Sequence, residues 1–426
     1  MQSIDAEIHK EGHSHSEPLF FLQGSHAYPR DRGISEIADN TSIISSASLR
    51  ISNLSKLSRI GNNLRIDGGG LFAVNCPNLR TVGSNLHVEG NVNFARCSSL
   101  QSLSGNIFVG QELDLSRCIS LSDLGTKLRV GGNLFLVECA ALPSLPPFTH
   151  VASSLYLDDC TSLTELPQNL QIEGSLHASN CRMLKALPSG MQIANSIYIN
   201  ECSVLAEIPE GLVVHGALSA RWCASLGSVG EGFRCADYAD FTGCEQLATL
   251  PSMMEIGGDL DVSNCSSLES LPAGVKIGGD LRMRECESLS GLPDDISVAR
   301  SVDLTDCVGI ARLPKPFSSV HGSLVLEGMT GLEVLPEGLT VGKDQFNRGL
   351  SMSGCCGVRE IPRGVTVAGR MDLSGCVGIR ELPDDLDVAQ SLNIRDCDDI
   401  RIPRTLLNRM GERIQLPCIY EVIDPS

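Results

Sequence analysis

The chain predicts a β-rich solenoid of the α/β type with about 17 coils, and two observations carry that prediction. Cysteines stand at 76, 97, 118, 139, 160, 181, 202, 223, 244, 265, 286 and 307, each 21 residues after the last. With each cysteine as position zero, apolar residues recur at +3, +6, +10, +12, +16 and +18, with proline frequent at +7 and glycine at +14. The Cys265 coil shows the whole set: Leu268, Leu271, Pro272, Val275, Ile277, Gly279, Leu281 and Met283. A fixed period between about 20 and 50 residues marks units that stack on one another.

Within a coil, positions +10 to +12 and +16 to +18 alternate apolar and polar, the period of a strand with one buried face. Two short strands per coil follow. Proline at +7 suits a corner where no ladder donor is needed. Glycine at +14 permits the turn between the strands. A lone coil buries too little apolar surface to offset the entropy of ordering it, so coils must cover one another's open faces and share strand hydrogen bonds. At about 4.8 Å per coil the array is expected to be one elongated body roughly 80 Å long.

Along the chain, residues 1–27 are polar, lack the repeat and hold His9, His13, His15 and His26. They read as a disordered leader, and a solvated histidine-rich tail is preferred there over a metal site at His9, His13 and His15. Residues 28–48, with Ile34, Ile37 and Ile43, read as an N-terminal cap to a solenoid covering 28–420. The first clear coil has Leu49, Ile51, Leu57, Ile60, Leu64 and Ile66 in register, with Leu54 in the cysteine slot. That slot therefore asks for an apolar group and not for thiol chemistry. Position +7 is Gly61, Gly83, Ser104 and Gly125 in the early coils and proline from Pro146 to Pro383, except at Gly230. Cys235 falls at +12, a core position.

Met329 takes the slot after one added residue near 318–320, and five more residues enter before Cys355, around 342–349. That insertion reads as a surface loop whose tip, Phe346, either touches a partner or marks tolerated length variation. Cys356 lies outside the ladder and reads as exposed. Coils continue through Cys376 and Cys397; Cys418 keeps the spacing, but Ile414 and Leu416 are one residue off register, so it is not counted as a rung. Residues 405–410, before Gly411, read as a short helix within a C-terminal cap spanning 403–426.

Formal net charge is −18, which argues against a nucleic-acid backbone as principal partner and favours a protein with a basic surface. No apolar run is long enough for a membrane span, and Asp5, Glu7, Glu11 and Glu17 occupy the place of a secretory signal. The expectation is a monomer in a reducing cytosol, bound to neither membrane nor cofactor. In-register cysteine side chains run parallel, the wrong geometry for disulfides, and no Cys-x-x-Cys pair of the zinc type occurs. A reduced, buried ladder is expected.

The stretch Leu155-Tyr-Leu-Asp-Asp-Cys160-Thr-Ser-Leu-Thr-Glu-Leu-Pro167 resembles the leucine-rich repeat, over 28–420. A Val-x-Gly strand replaces the segment usual on that repeat's convex side, so a parallel β-helix stays open as the alternative. The short proline-rich unit is similar to bacterial repeats, including those of type III secreted effectors. That resemblance implies a protein-binding concave face and a polar, serine-rich secretion segment, with which residues 1–48 are compatible. It further implies export without a cleaved signal peptide into host-cell cytoplasm; the alternative is bacterial cytoplasm. No run of non-repeat residues suits the ubiquitin-ligase domain that some such effectors carry.

No His-Glu-x-x-His, phosphate-loop or Gly-x-Ser-x-Gly motif occurs, and no catalytic residues are assigned. Asp294-Asp295 and Asp384-Asp385 recur after proline and read as a solvated edge. The column four residues before each cysteine is more informative. It contains Phe135, Tyr156, His177 and Tyr198 in consecutive coils of a chain with only 4% aromatics, and Arg221 and the single tryptophan, Trp222, follow in the next coil. Tyr, Trp and Arg are enriched at binding hot spots, so these six residues form the candidate partner-binding set. Stacked rings that merely stabilise adjacent strands are the equal alternative. Beyond the non-enzymatic interaction solenoid stand two other readings: an enzyme using the exposed Cys356 thiol, and a structural spacer or filament.

Overall fold

The computed structural model describes residues 20–23, 26–29, 33–44 and 46–424. They form a parallel β-solenoid with a 21-residue period and little helix, in two compact units: 1–205 with 213–215, and 206–212 with 216–426.

In the first unit, the +16 and +17 residues of successive coils, five and four before the next slot, pair in register, Leu113–Asp114 with Leu134–Phe135, Leu155–Tyr156, Leu176–His177 and then Ile197–Tyr198. A second parallel sheet runs from Ser42–Ile44 through Arg65–Asp67, Leu86–Val88, Asn106–Val109, Lys127–Val130 and Phe148–Val151 to Val213–Val214. The second unit has a corresponding column from Leu218–Ser219 to Ile414–Gln415. Taken together, the two columns, from His26–Pro29 to Ile414–Gln415, have about 19 strands among the described residues, two more than the spacing of slots implies.

The additions are at the ends. Phe20–Gln23 and His26–Pro29 form an antiparallel hairpin, and His26–Ala27 pairs in parallel with Ser48–Leu49. Strand pairing therefore starts inside the segment expected to be a disordered leader; the rest of that segment, with His9, His13 and His15, lies outside the described residues. Ile414–Gln415 pairs with Leu392–Asn393 although Cys418 is exposed, so the sheet gains a strand where the slot ladder has stopped. The helix Arg404–Met410, closed by Gly411 at φ 54°, precedes it. From this helix Arg409 donates to the Asp384 and Leu386 carbonyls, and Arg413 just beyond donates to that of Ala389, edge acceptors that no further coil serves.

The expectation of two strands per coil is corrected to three faces. The +5 and +6 residues form a third ladder, Glu36–Ile37, Arg59–Ile60, Thr81–Val82 and Ser102–Leu103. Its extent follows the +7 residue. At Gly83 and Ser104 the +7 amide donates to the +6 carbonyl of the coil before, Ile60 and Val82, each within 2.9 Å, whereas the Gly125 amide turns to the Asp123 carboxylate at 2.8 Å and only the Ser102↔Asp123 bridge remains. Proline removes that donor, and the ladder contracts to single bridges such as Ser144↔Glu165. Gly230 restores it: its amide reaches the Ile208 carbonyl at 2.8 Å, and Glu207–Ile208 pairs with Ser228–Val229. Near the added residue at 318–320, Lys315–Ser318 closes a 3-10 turn, and the second sheet restarts at Ser319–Val320.

Within each unit an aliphatic core lies between the faces, and every ladder cysteine is buried and reduced. The thiols donate to the carbonyl three residues before the slot of the preceding coil, as Cys118 does to Phe94, Cys160 to Leu136 and Cys265 to Phe241, at 3.2 to 3.3 Å. Leu54 and Met329 fill the slot without that bond and are equally buried. The residue just before each slot is left-handed, from Asn75 at φ 56° to Asp306 at φ 58°. Asparagine and glycine tolerate this region best, and they hold the position at Asn53, Asn75, Asn180, Asn264, Gly328, Gly354 and Gly375.

Candidate functional site

The four rings predicted to share a column do so. Parallel, in-register strands set their Cβ atoms about 4.8 Å apart, which is the spacing of stacked aromatics. Phe135 and Tyr156 have ring centroids 4.7 Å apart, Tyr156 and His177 4.4 Å, and His177 and Tyr198 4.8 Å, all stacked with interplanar angles of 15 to 24°. Each ring is half-buried. Their faces are turned on one another, so a partner meets ring edges, two phenol hydroxyls and an imidazole. Burial holds the His177 imidazole below its ordinary value, and the nearby Asp158 carboxylate pulls the other way without prevailing. Asp158 is itself fixed by the Ser179 amide at 2.9 Å.

Earlier coils of the column show the same in-register logic with other chemistry. Arg50 lies over the Phe72 ring at 4.5 Å, and the Asn93 side-chain amide donates to Asp114 at 3.0 Å.

Arg221 and Trp222 belong to the second unit. Arg221 lies 3.5 Å from Asp240, an ion pair one coil on. Trp222 stands on the turn and not on the strand: it occupies the left-handed position at φ 58°, is 50% exposed, and covers Gly243. A Cβ at Gly243 would come within 2.1 Å of the indole Cε3, so the bulky residue is tolerated because the next coil offers a glycine. The aspartates of the second unit's −4 column have local work. Asp240, Asp261 and Asp303 each accept the amide two residues on, at 2.9 to 3.1 Å.

The other sequence candidates separate in the same way. Cys356 is exposed, with its thiol directed to the Gly375 carbonyl at 3.8 Å. Asp294 accepts the Lys315 amide and Asp385 the Gly364 amide, which ties neighbouring coils together from exposed positions. Sequence reasoning missed Asp67, His87 and Glu89, whose ligand atoms lie within 4.8 Å of one another in the first unit. Asp67 is paired with Arg65 at 2.8 Å, Glu89 accepts the Gly68 amide at 2.9 Å, and the His87 ring stacks on Phe108 at 4.6 Å. Among the described residues no helix is long and apolar enough to cross a membrane.

No family model and no curated protein matches the chain. Among solved structures it is similar to a leucine-rich repeat protein from Bacteroides ovatus, with 11% identity over 97% of this chain and 100% of that one and a TM-score of 0.30. It is also similar to a leucine-rich cell surface protein from Faecalibacterium prausnitzii, with 15% identity over 75% of this chain and 86% of that one and a TM-score of 0.21. At these values the likeness transfers neither a site nor a function.

Proposed function

We propose that the protein is a non-enzymatic interaction solenoid whose first unit holds a protein partner along the Phe135, Tyr156, His177 and Tyr198 column. The observation that carries this is the unbroken stack of four half-buried rings in a chain with 4% aromatics. Ring edges with polar tips suit a partner that offers hydrogen-bond donors. The net charge of −18 favours a partner with a basic surface, and on this reading the chain acts as a monomer. The narrower reading, an effector exported without a cleaved signal into host cytoplasm, rests on the resemblance of the repeat unit alone. Arg221 and Trp222 are a second contact on the same reading.

Two sets of variants test it by affinity capture from candidate host lysate beside thermal melting. Because the ring faces are already used, Y156F with Y198F removes the polar tips and keeps the stack. It is expected to lower capture about tenfold with no change in melting. The triple variant Y156A, Y198A, W222A is expected to lower capture at least as far. Undiminished capture by both, with a stability loss confined to the alanine variant, makes the column a scaffold feature.

A further inference from the structure

The insertion at 342–349 is a built structure. The Asp344 carboxylate accepts the amides of Phe346 and Arg348, at 2.8 and 2.9 Å, and pairs with the Arg348 guanidinium at 2.6 Å; the Asp344 amide closes on the Arg348 carbonyl at 2.9 Å. Folded this way, the loop forms one wall of a cleft of about 380 Å³ in the second unit, whose other walls come from three successive coils through Arg282, Arg284, Arg300 and Ser323. Its volume falls in the range of small-molecule sites, about 300 to 1,000 Å³.

Charge and donor geometry say what would fill it. Five cationic side chains, Arg282, Arg284, Arg300, Lys343 and Arg348, and three carboxylates, Asp280, Asp303 and Asp344, line the cleft, in a chain whose net charge is −18. Arg282 and Arg300 are committed to Asp259 and Asp280. The others keep donors among the described residues. Arg284 spends Nε and Nη2 on Asp303 and retains Nη1; Arg348 spends Nε on Asp344 and retains both Nη groups; Lys343 is exposed and has no carboxylate partner among the described residues. Beside them Phe346 is 63% exposed, with the Arg348 guanidinium 5.6 Å from its ring centroid. An exposed ring next to unspent cationic donors offers stacking and charge-assisted hydrogen bonds together.

We propose that this cleft binds a small organic anion bearing a planar ring, its phosphate or carboxylate on Lys343, Arg284 and Arg348 and its ring on Phe346. None of these residues belongs to the ring column of the first unit, so the two proposals stand or fall separately.

Isothermal titration of the full chain with adenosine 5′-monophosphate, benzoate and inorganic phosphate tests it. A single saturable site is expected for at least one of the two ring-bearing anions, at least about tenfold tighter than for inorganic phosphate, which has no ring to stack. Preference between the nucleotide and benzoate then tells phosphate from carboxylate. K343Q and F346A, both at exposed positions, are each expected to weaken binding about tenfold with unchanged melting. The proposal is overturned by no saturable heat for either ring-bearing anion up to about 1 mM, by inorganic phosphate binding as tightly as both, or by unchanged affinity in both variants.

Discussion

The cysteine slot shows how one residue type is chosen. A narrow core needs a small apolar group, and a carbonyl of the preceding coil is within reach of a weak donor; a thiol satisfies both. Burial pushes the thiols of Cys118, Cys265 and Cys355 up to about 12 and that of Cys235 up to about 11, so at neutral pH they stay protonated and unreactive. A thiol reagent at pH 7.5 is therefore expected to label the native protein at Cys356 and Cys418, the two exposed cysteines, and the other sixteen only after denaturation, as counted by mass spectrometry. His177 makes a second prediction. Its folded-state value lies below the ordinary 6.5, so the unfolded chain takes up the proton first; the contribution of the neutral ring is full above about 6.5 and declines as pH falls through that value toward the folded one. H177F should remove this dependence. The melting-temperature difference between H177F and the parent should be constant above pH 7 and should move in favour of H177F by pH 5; a difference independent of pH counts against it.

At the scale of the element, the third ladder is governed by one amide per coil. Gly230 is the clearest case, flanked by proline coils yet carrying a paired strand because its amide reaches Ile208. Gly230→Pro should leave the Ile208 carbonyl without its donor, a loss of about 1 to 3 kcal/mol, and should also press its Cβ to 2.5 Å from the Glu210 backbone nitrogen, so the denaturation midpoint should fall by more than the hydrogen bond alone accounts for. A midpoint equal to the parent's would show that the corner, and not the ladder, sets stability there. The 342–349 loop belongs to this scale too. As sequence it is a length anomaly; folded, Asp344 makes it a closed turn that walls a charged cleft.

At the scale of the whole molecule, stability is expected to be a sum of coil interfaces, with end coils opening most easily. In denaturant below the unfolding midpoint, Cys76 and Cys397 should label faster than Cys160 or Cys265, since they occupy slots near either end of the ladder; uniform labelling would mean one all-or-none transition. Much of this architecture was legible beforehand. A period of 21 residues, the slot and the alternation around it set the coil, two of its faces, its reduced interior and the placing of Phe135, Tyr156, His177 and Tyr198 in one column, because in-register stacking turns spacing along the chain directly into neighbourhood in space. Only the tertiary structure decided the rest. Whether +5 and +6 pair depends on where the +7 amide points. Trp222 is accommodated by a glycine one coil away. The first and last strands lack the slot that marks the others and are recruited by open sheet edges. Each of these depends on a hydrogen bond or a contact between residues whose identities are independent of the repeat, and periodicity carries no information about such pairs.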